Sequence, residues 1–385
     1  MAMEETKDLK HNHGIDLFRG LAILSVILLH INTRIPFSDT YLGGLIPTPV
    51  YKIIFWSGYY GVCTFFVISG FLITNSSLGR WKKISNVSLQ GFYAMRFARI
   101  MPLLVGLLFI LSLLHLLGVS GFVINPNQTS LGRSIVAALT FHINWLEIKV
   151  GYLPASWDIL WSLSIEEVFY FFFPILCFLC RKEWQFIALI SVFLIISPFA
   201  RTILYSGNEL GDRNHFAFLD AISLGCISAI VSRRIKIKDV HLIIIALTGW
   251  LLFSVIMFLR KWVYSVGLTN IGLNVTFLSI GIALILIWMQ KRYDSGQQTL
   301  SKFTGAIRFF GRNSYEIYLT HMFVVYIFVR IYLSLKLSGE WAWALYALII
   351  IFSGALGSIV ALYFSNPSNI KLRGKLKMFN SKKTG

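Results

Sequence analysis

The stretch Gly14-Ile-Asp16-Leu-Phe-Arg19-Gly20-Leu-Ala-Ile-Leu-Ser25-Val-Ile-Leu-Leu-His30 decides the reading of this chain. It is long and apolar enough for a membrane helix, which needs about 20 such residues. Yet it carries Asp16, Arg19 and His30. Polar groups inside a spanning helix are expensive, so each is a candidate for function. At 3.6 residues per turn, positions 16, 19 and 30 share one face, and Arg19 to His30 rises about 16 Å at roughly 1.5 Å per residue. Arg19 then sits at one mouth of the bilayer and His30 near or beyond its midplane. The two cannot touch along a straight helix, but they can hold two ends of one long ligand. A lone buried histidine reads first as a hydrogen bond to a neighbouring helix. The co-facial Asp16 and Arg19 weigh against that.

Working outward, similar apolar runs recur along all 385 residues, of which 56% are hydrophobic and only 14% charged. Soluble domains carry about 25% charged residues. The composition excludes a soluble globular protein, a disordered chain and a fibrous repeat. The expected fold is all-α, a polytopic membrane bundle of about ten helices. The spans read as 16–33, 54–74, 97–118, 157–180, 184–204, 214–232, 240–260, 267–290, 312–335 and 342–364. The stretch 133–147, bounded by Arg133 and Glu147, is too short for an eleventh span and reads as re-entrant or interfacial.

The net charge of +18 would suit nucleic acid, but no soluble domain exists to host it. Basic residues instead mark cytoplasmic loops. With the N-terminus inside, 24 of the 35 basic residues fall on the inner side. Both termini are then cytoplasmic. The expected organisation is a tail at 1–14, a membrane domain at 15–367 and a basic cytoplasmic tail at 368–385. The polar start does not resemble a cleavable signal peptide. Cys63, Cys177, Cys180 and Cys226 all lie in apolar runs, and no Cys/His pair accompanies Cys177-x-x-Cys180, so neither disulfide nor metal is expected.

Three further clusters break the apolar pattern. Arg96-Phe-Ala-Arg99 opens the third span, with both arginines on one helix face. Either one alone reads as topological anchoring. Together with Arg19 they can grip a phosphate. Trp161-Ser162-Leu-Ser164-Ile-Glu166-Glu167-Val-Phe-Tyr170 places Ser162, Glu166 and Tyr170 on one face, with Glu167 pointing elsewhere. Glu166 needs a partner or a proton, and either a structural bond or a catalytic role fits it. Ser314-Tyr315-Glu316-Ile-Tyr318-Leu-Thr320-His321 puts Ser314, Tyr318 and His321 on one face, and His321 reads as a helix–helix hydrogen bond. Ser69-Gly70-Phe71 offers a small residue for close backbone approach.

In this order the motifs resemble the acyltransferase-3 family of integral membrane acyltransferases. They are Arg19-x10-His30, Phe65-Phe-Val-Ile-Ser69-Gly70-Phe71, Arg96-x-x-Arg99, Trp161 to Tyr170 and Ser314 to His321. The resemblance runs from Gly14 to about Pro367, where Asn366-Pro367 matches more weakly. It implies a ten-helix bundle that takes an acyl group, usually acetyl, from cytoplasmic acyl-CoA. The group goes to a hydroxyl of an extracytoplasmic or lipid-linked carbohydrate, such as O-antigen or exopolysaccharide. A bacterial inner membrane is the implied location. By motif match His30 corresponds to the family's essential histidine, and Arg19, Arg96 and Arg99 to its essential arginines. Many relatives carry a fused hydrolase-like domain. None is visible here, so direct transfer to the acceptor is expected.

The mechanism expected has arginines on the phosphates of acetyl-CoA and the pantetheine arm along the first helix. His30 then acts as general base, with Glu166 as a possible orienting partner. A transient acyl-imidazole is the variant. Asp16, Ser69, Ser162, Tyr170, Tyr318 and His321 are expected in support. The rival class is a non-catalytic transporter or flippase for a glycan precursor.

Overall fold

The computed structural model of the protein describes residues 12–204, 207–297 and 304–381. Most of the expected N-terminal tail, with Lys7 and Lys10, lies outside them. The described chain is all-helical. Nine helices are long and apolar enough to cross a membrane among the described residues, which makes this a multi-pass membrane protein. Ordered along the chain, the helices that position the site are α1 (His13–Asn32), α2 (Gly58–Trp81), α3 (Leu89–Leu116), α4 (Leu131–Leu139), α5 (Ile143–Val150), α6 (Leu160–Leu179), α7 (Glu183–Ser191), α8 (Phe193–Thr202), α9 (Leu219–Arg234), α10 (Asp239–Phe258), α11 (Leu273–Asp294), α12 (Gly305–Arg312), α13 (Ser314–Ser334), α14 (Ala342–Val360) and α15 (Asn366–Ser381).

The sixth expected span, 214–232, is realised as α9, which has only 16 residues. At roughly 1.5 Å per residue it is about 24 Å long, short of the hydrocarbon thickness. It can be short because its sides face protein: residues from Leu219 to Ser232 are mostly buried. α3 begins at Leu89 rather than near 97, because the Ser88 hydroxyl accepts from the Gly91 amide and starts the helix there. Arg96 and Arg99 are thus two or more turns inside the helix, not at its mouth. The expected eighth span, 267–290, is α11 at Leu273–Asp294, delayed by turns at Gly267 and Gly272, whose φ angles are +79° and +72°.

The 133–147 stretch forms two short helices, α4 and α5, of nine and eight residues. They are joined through Phe141, which has a φ of 56°. The Gln128 side-chain amide donates to the carbonyls of Val150 and Tyr152 at 3.2 and 3.3 Å. The segment therefore returns to where it began and does not cross. Glu147, read as a polar boundary, is instead fully buried and pairs with Arg213 at 3.1 Å.

Two glycine crossings set the register of the helices around the site. A Cβ on Gly20 of α1 would lie 2.0 Å from the Ile307 carbonyl oxygen, and one on Gly311 of α12 would lie 1.8 Å from that of Asp16. A Cβ on Gly70 of α2 would lie 2.0 Å from the Ile222 carbonyl oxygen of α9. Such contact demands hydrogen in place of a side chain. The first crossing delivers Arg19 to the start of α13, and the second fixes the neighbouring Ser69. After α14 the chain takes a π-helical turn at Ala361–Ser365 and continues as α15, which packs along α3. Pro367 has no N–H for the regular ladder, which fits a wider turn at this point.

Candidate active site

α1, α2, α3, α6 and α13 enclose a central pocket of about 170 Å³. Its wall carries Arg19, Ser69, Arg96, Arg99, Ser162, Glu166, Tyr170 and Tyr318, eight of the eleven residues singled out from the sequence. A second, larger and more polar basin of about 970 Å³ opens at the end of the bundle that holds Asn12, Arg80, Arg233, Asp294 and Arg373. Arg19, Leu72, Arg96 and Arg99 line both spaces. Three guanidiniums therefore form the neck between basin and pocket. Asp16 lines the basin only.

The three arginines are held differently. The Arg19 Nε donates to the Ser314 hydroxyl at 3.2 Å. Arg99 pairs with Glu316 at 2.9 Å and lies 5.0 Å from the Tyr315 ring centre. The Ser365 hydroxyl donates to the same Glu316 carboxylate at 2.7 Å, which ties the π-helical turn into the neck. Arg96 lies 4.4 Å over the Tyr170 ring and has no ion-pair partner among the described residues. Half of the anion grip expected of the Arg96/Arg99 pair is already answered from within the protein. Sequence reasoning missed Glu316. The only signal for it was an acidic residue at the first turn of an apolar helix, in the stretch already quoted.

Glu166 has the partner its burial demands. The Ser69 hydroxyl donates to it at 2.9 Å and the Tyr170 hydroxyl approaches at 3.5 Å. Glu167 does not point away. It also lines the central pocket, and its Oε1 is buried without a hydrogen-bond partner. On adjoining positions of α6 the two carboxylates flank the pocket together. Across from them, Tyr318 donates to the Ile159 carbonyl at 3.0 Å, so its single proton is used. The Ser162 hydroxyl, 2.7 Å away, is then the donor to the Tyr318 oxygen.

His30 is not on the pocket wall. α1 and α13 rise side by side, so that Arg19 meets Ser314 at one level and His30 meets His321 further along. The two imidazole centres are 5.2 Å apart, and the Tyr318 ring is 6.0 Å from His321. The histidine pair thus stands behind Tyr318. His321 does not bond to another helix as expected. Its Nδ1 faces the Tyr318 and Ile317 carbonyls at 2.7 and 3.2 Å, which makes Nδ1 the protonated nitrogen. Its Nε2 is a buried lone pair without a partner. Glu166 is occupied by Ser69 and Tyr170, so the ring beside His30 belongs to His321 and not to that carboxylate.

Among the described residues no cluster of three or more His, Cys, Asp or Glu could hold a metal ion. The family model described as an acyltransferase domain matches residues 12–363 of this chain. A relative from Staphylococcus aureus strain MSSA476, provisionally named an O-acetyltransferase, is 28% identical over 352 residues, covering 85% of this chain and 52% of its own. O-acetyltransferase OatA of Staphylococcus aureus strain NCTC 8325 is 25% identical over 396 residues, covering 97% of this chain and 59% of its own. The chain therefore spans little more than half the length of these relatives. No solved structure matches.

Proposed function

Since the chain belongs to the acyltransferase domain family, we propose that it moves an acetyl group from acetyl-CoA to a hydroxyl of a carbohydrate acceptor. The observation that carries this reading is the arginine neck, which joins a polar basin to a small pocket whose Tyr318 wall lies beside His321 of the His30–His321 pair. Coenzyme A has the matching form, with phosphates at one end and a thioester at the other. Its phosphates would take Arg96, a neck cation without an ion-pair partner among the described residues, together with Arg19 beside it in the neck. The pantetheine arm would follow the α1–α13 rail, whose rise from Arg19 to His30 is about 16 Å.

His30 would then take the proton of the acceptor hydroxyl as its oxygen attacks the thioester carbonyl. The new C–O bond replaces the C–S bond, and the proton leaves with the coenzyme thiol. General bases of this kind contribute roughly 10²–10⁴-fold. The basic ends of the helices support a cytoplasmic donor side, and a bacterial cytoplasmic membrane fits a relative of the staphylococcal proteins.

The test uses the full chain in lipid nanodiscs. His30→Ala should bind acetyl-CoA within about twofold of the parent but lose acetyl transfer by at least roughly 10²-fold. Acetylation at the parental rate would end the assignment. A parent that neither binds nor turns over acetyl-CoA would favour a transporter. Mass spectrometry of surface glycans from deletion and parental strains identifies the acceptor.

A further inference from the structure

One cavity is absorbed by none of the roles above. A groove of about 520 Å³ runs between α3 and α6, bordered by Tyr93, Phe97 and Met101 on one side and Phe171 and Phe172 on the other. Phe141, at the turn of the re-entrant hairpin, closes it. Phe97, Phe171 and Phe172 are each at least half exposed, on helices read as crossing the bilayer, so their surroundings are hydrocarbon. A water-soluble sugar cannot approach from there.

The groove is not a dead end. Arg96, Ile100, Glu167 and Tyr170 line both it and the central pocket. At this junction sits Glu167, whose side chain belongs to a residue 8% exposed and whose Oε1 has no hydrogen-bond partner. A buried carboxylate oxygen without a donor costs free energy. The neighbouring carboxylate Glu166 differs, since Ser69 and Tyr170 supply its donors. Glu167 Oε1 thus lacks a donor where an apolar, lipid-facing groove meets the central pocket.

We propose that this groove is a lateral entrance for a membrane lipid with a hydroxyl-bearing head. Its hydrocarbon chain lies along Phe97, Phe171 and Phe172, and a head hydroxyl donates to Glu167 Oε1. Other molecules fit less well. A chain without a polar head leaves Glu167 unanswered, and a free sugar has nothing to place in the groove. The donor's acyl group does not need the space if it is acetyl. The inference deepens the proposed function, since it rests on that reading for the fate of the head and names the class of acceptor.

The test probes binding and needs no acyl donor. The full chain is reconstituted in phosphatidylcholine vesicles containing monoglucosyl diacylglycerol with a diazirine in one acyl chain. After illumination, labelled peptides are mapped. Labelling of 93–101 and 168–172 should exceed that of the lipid-facing helix Asp239–Phe258 by at least about fivefold. It should fall to the background level in Glu167→Leu, and separately in Val168→Trp, which fills the groove. Diazirine-phosphatidylcholine, which lacks head hydroxyls, should label the groove no more than background and respond to neither substitution. Even labelling over all lipid-facing helices would overturn the proposal. So would groove labelling by the glucolipid that survives Glu167→Leu. Each variant must also elute from gel filtration and unfold like the parent, and acetyl-CoA binding is measured in the parent alone. Loss of that binding in the parent itself would instead sink the acetyl-CoA reading and leave the lipid result standing on its own.

Discussion

Two arginines, the buried Arg201 and the partly buried Arg96, make opposite use of the same side chain. Arg201, at the end of α8, pairs with Asp220 through two hydrogen bonds of 2.9 and 2.8 Å. It also donates to the Gly272 carbonyl at 3.1 and 2.8 Å, to the Thr276 hydroxyl at 2.7 Å, and to the Ala217 carbonyl. Its donors are committed to α9 and α11, and its charge is cancelled. Arg96 has an aromatic ring beneath it and cavities around it, with no carboxylate in contact. A cation buried with all its donors answered holds helices together. One left unanswered beside a cavity is ready for a ligand. Charge count along the sequence cannot separate the two cases, because the difference lies in what the partners leave over.

The largest effect expected from this contrast is on stability. Arg201→Ala would leave Asp220 buried without its cation, and breaking such a pair costs about 3–5 kcal/mol. Thermal unfolding in detergent should show a strong drop, and expression should fall with it. An Arg201→Ala protein as heat-resistant as its parent would mean that the network is decorative. Arg96→Gln should do the reverse. Unfolding should move little. Acetyl-CoA affinity, read by titration, should fall about 10- to 100-fold, since charge-assisted hydrogen bonds contribute roughly 1.5–3 kcal/mol. If Arg96→Gln unfolds the protein and spares binding, the division between the two arginines is wrong.

How far the sequence alone reaches follows the same division. Hydropathy fixes helices because a membrane forces every backbone group into internal hydrogen bonds. That is why nine of the expected spans and the returning hairpin are found, with the starts of α3 and α11 displaced by several residues. The exception is α9, whose polar start at Asp220 and short length suit a helix walled by protein. Arg19, Arg96, Arg99, Glu166 and Tyr318, which line the pocket, were legible as polar interruptions of apolar helices, whereas Ser69 read only as a small residue beside Gly70. Pairings were not. Nothing in the spacing says that Glu316 takes Arg99, that Ser69 takes Glu166, or that His321 is the ring beside His30. These depend on the helix crossings at Gly20, Gly70 and Gly311, which join segments far apart in sequence. Glu167 was misread because a helix face was counted from one side only. α6 has cavity on more than one side, so a residue off the main face still meets one of them.

The smallest effect expected concerns Arg99, which stands between the two extremes. Its carboxylate partner Glu316 is shared with Ser365, on the π-helical turn that precedes α15. Arg99 itself reaches the Ser365 hydroxyl at 3.3 Å. Ser365→Ala removes both contacts and adds no bulk or charge. A typical hydrogen bond contributes about 1 kcal/mol. If the turn serves only to end α14, this substitution should lower the unfolding temperature slightly and leave acetyl-CoA affinity alone. If it sets the position of the Arg99–Glu316 pair within the neck, affinity should fall about three- to fivefold at nearly unchanged stability. We expect the second outcome, because Ser365 is buried and its hydroxyl is spent on Glu316 and Arg99. Side-by-side titration and melting of Ser365→Ala and Ser365→Thr separates them, since threonine keeps the hydroxyl and should restore binding.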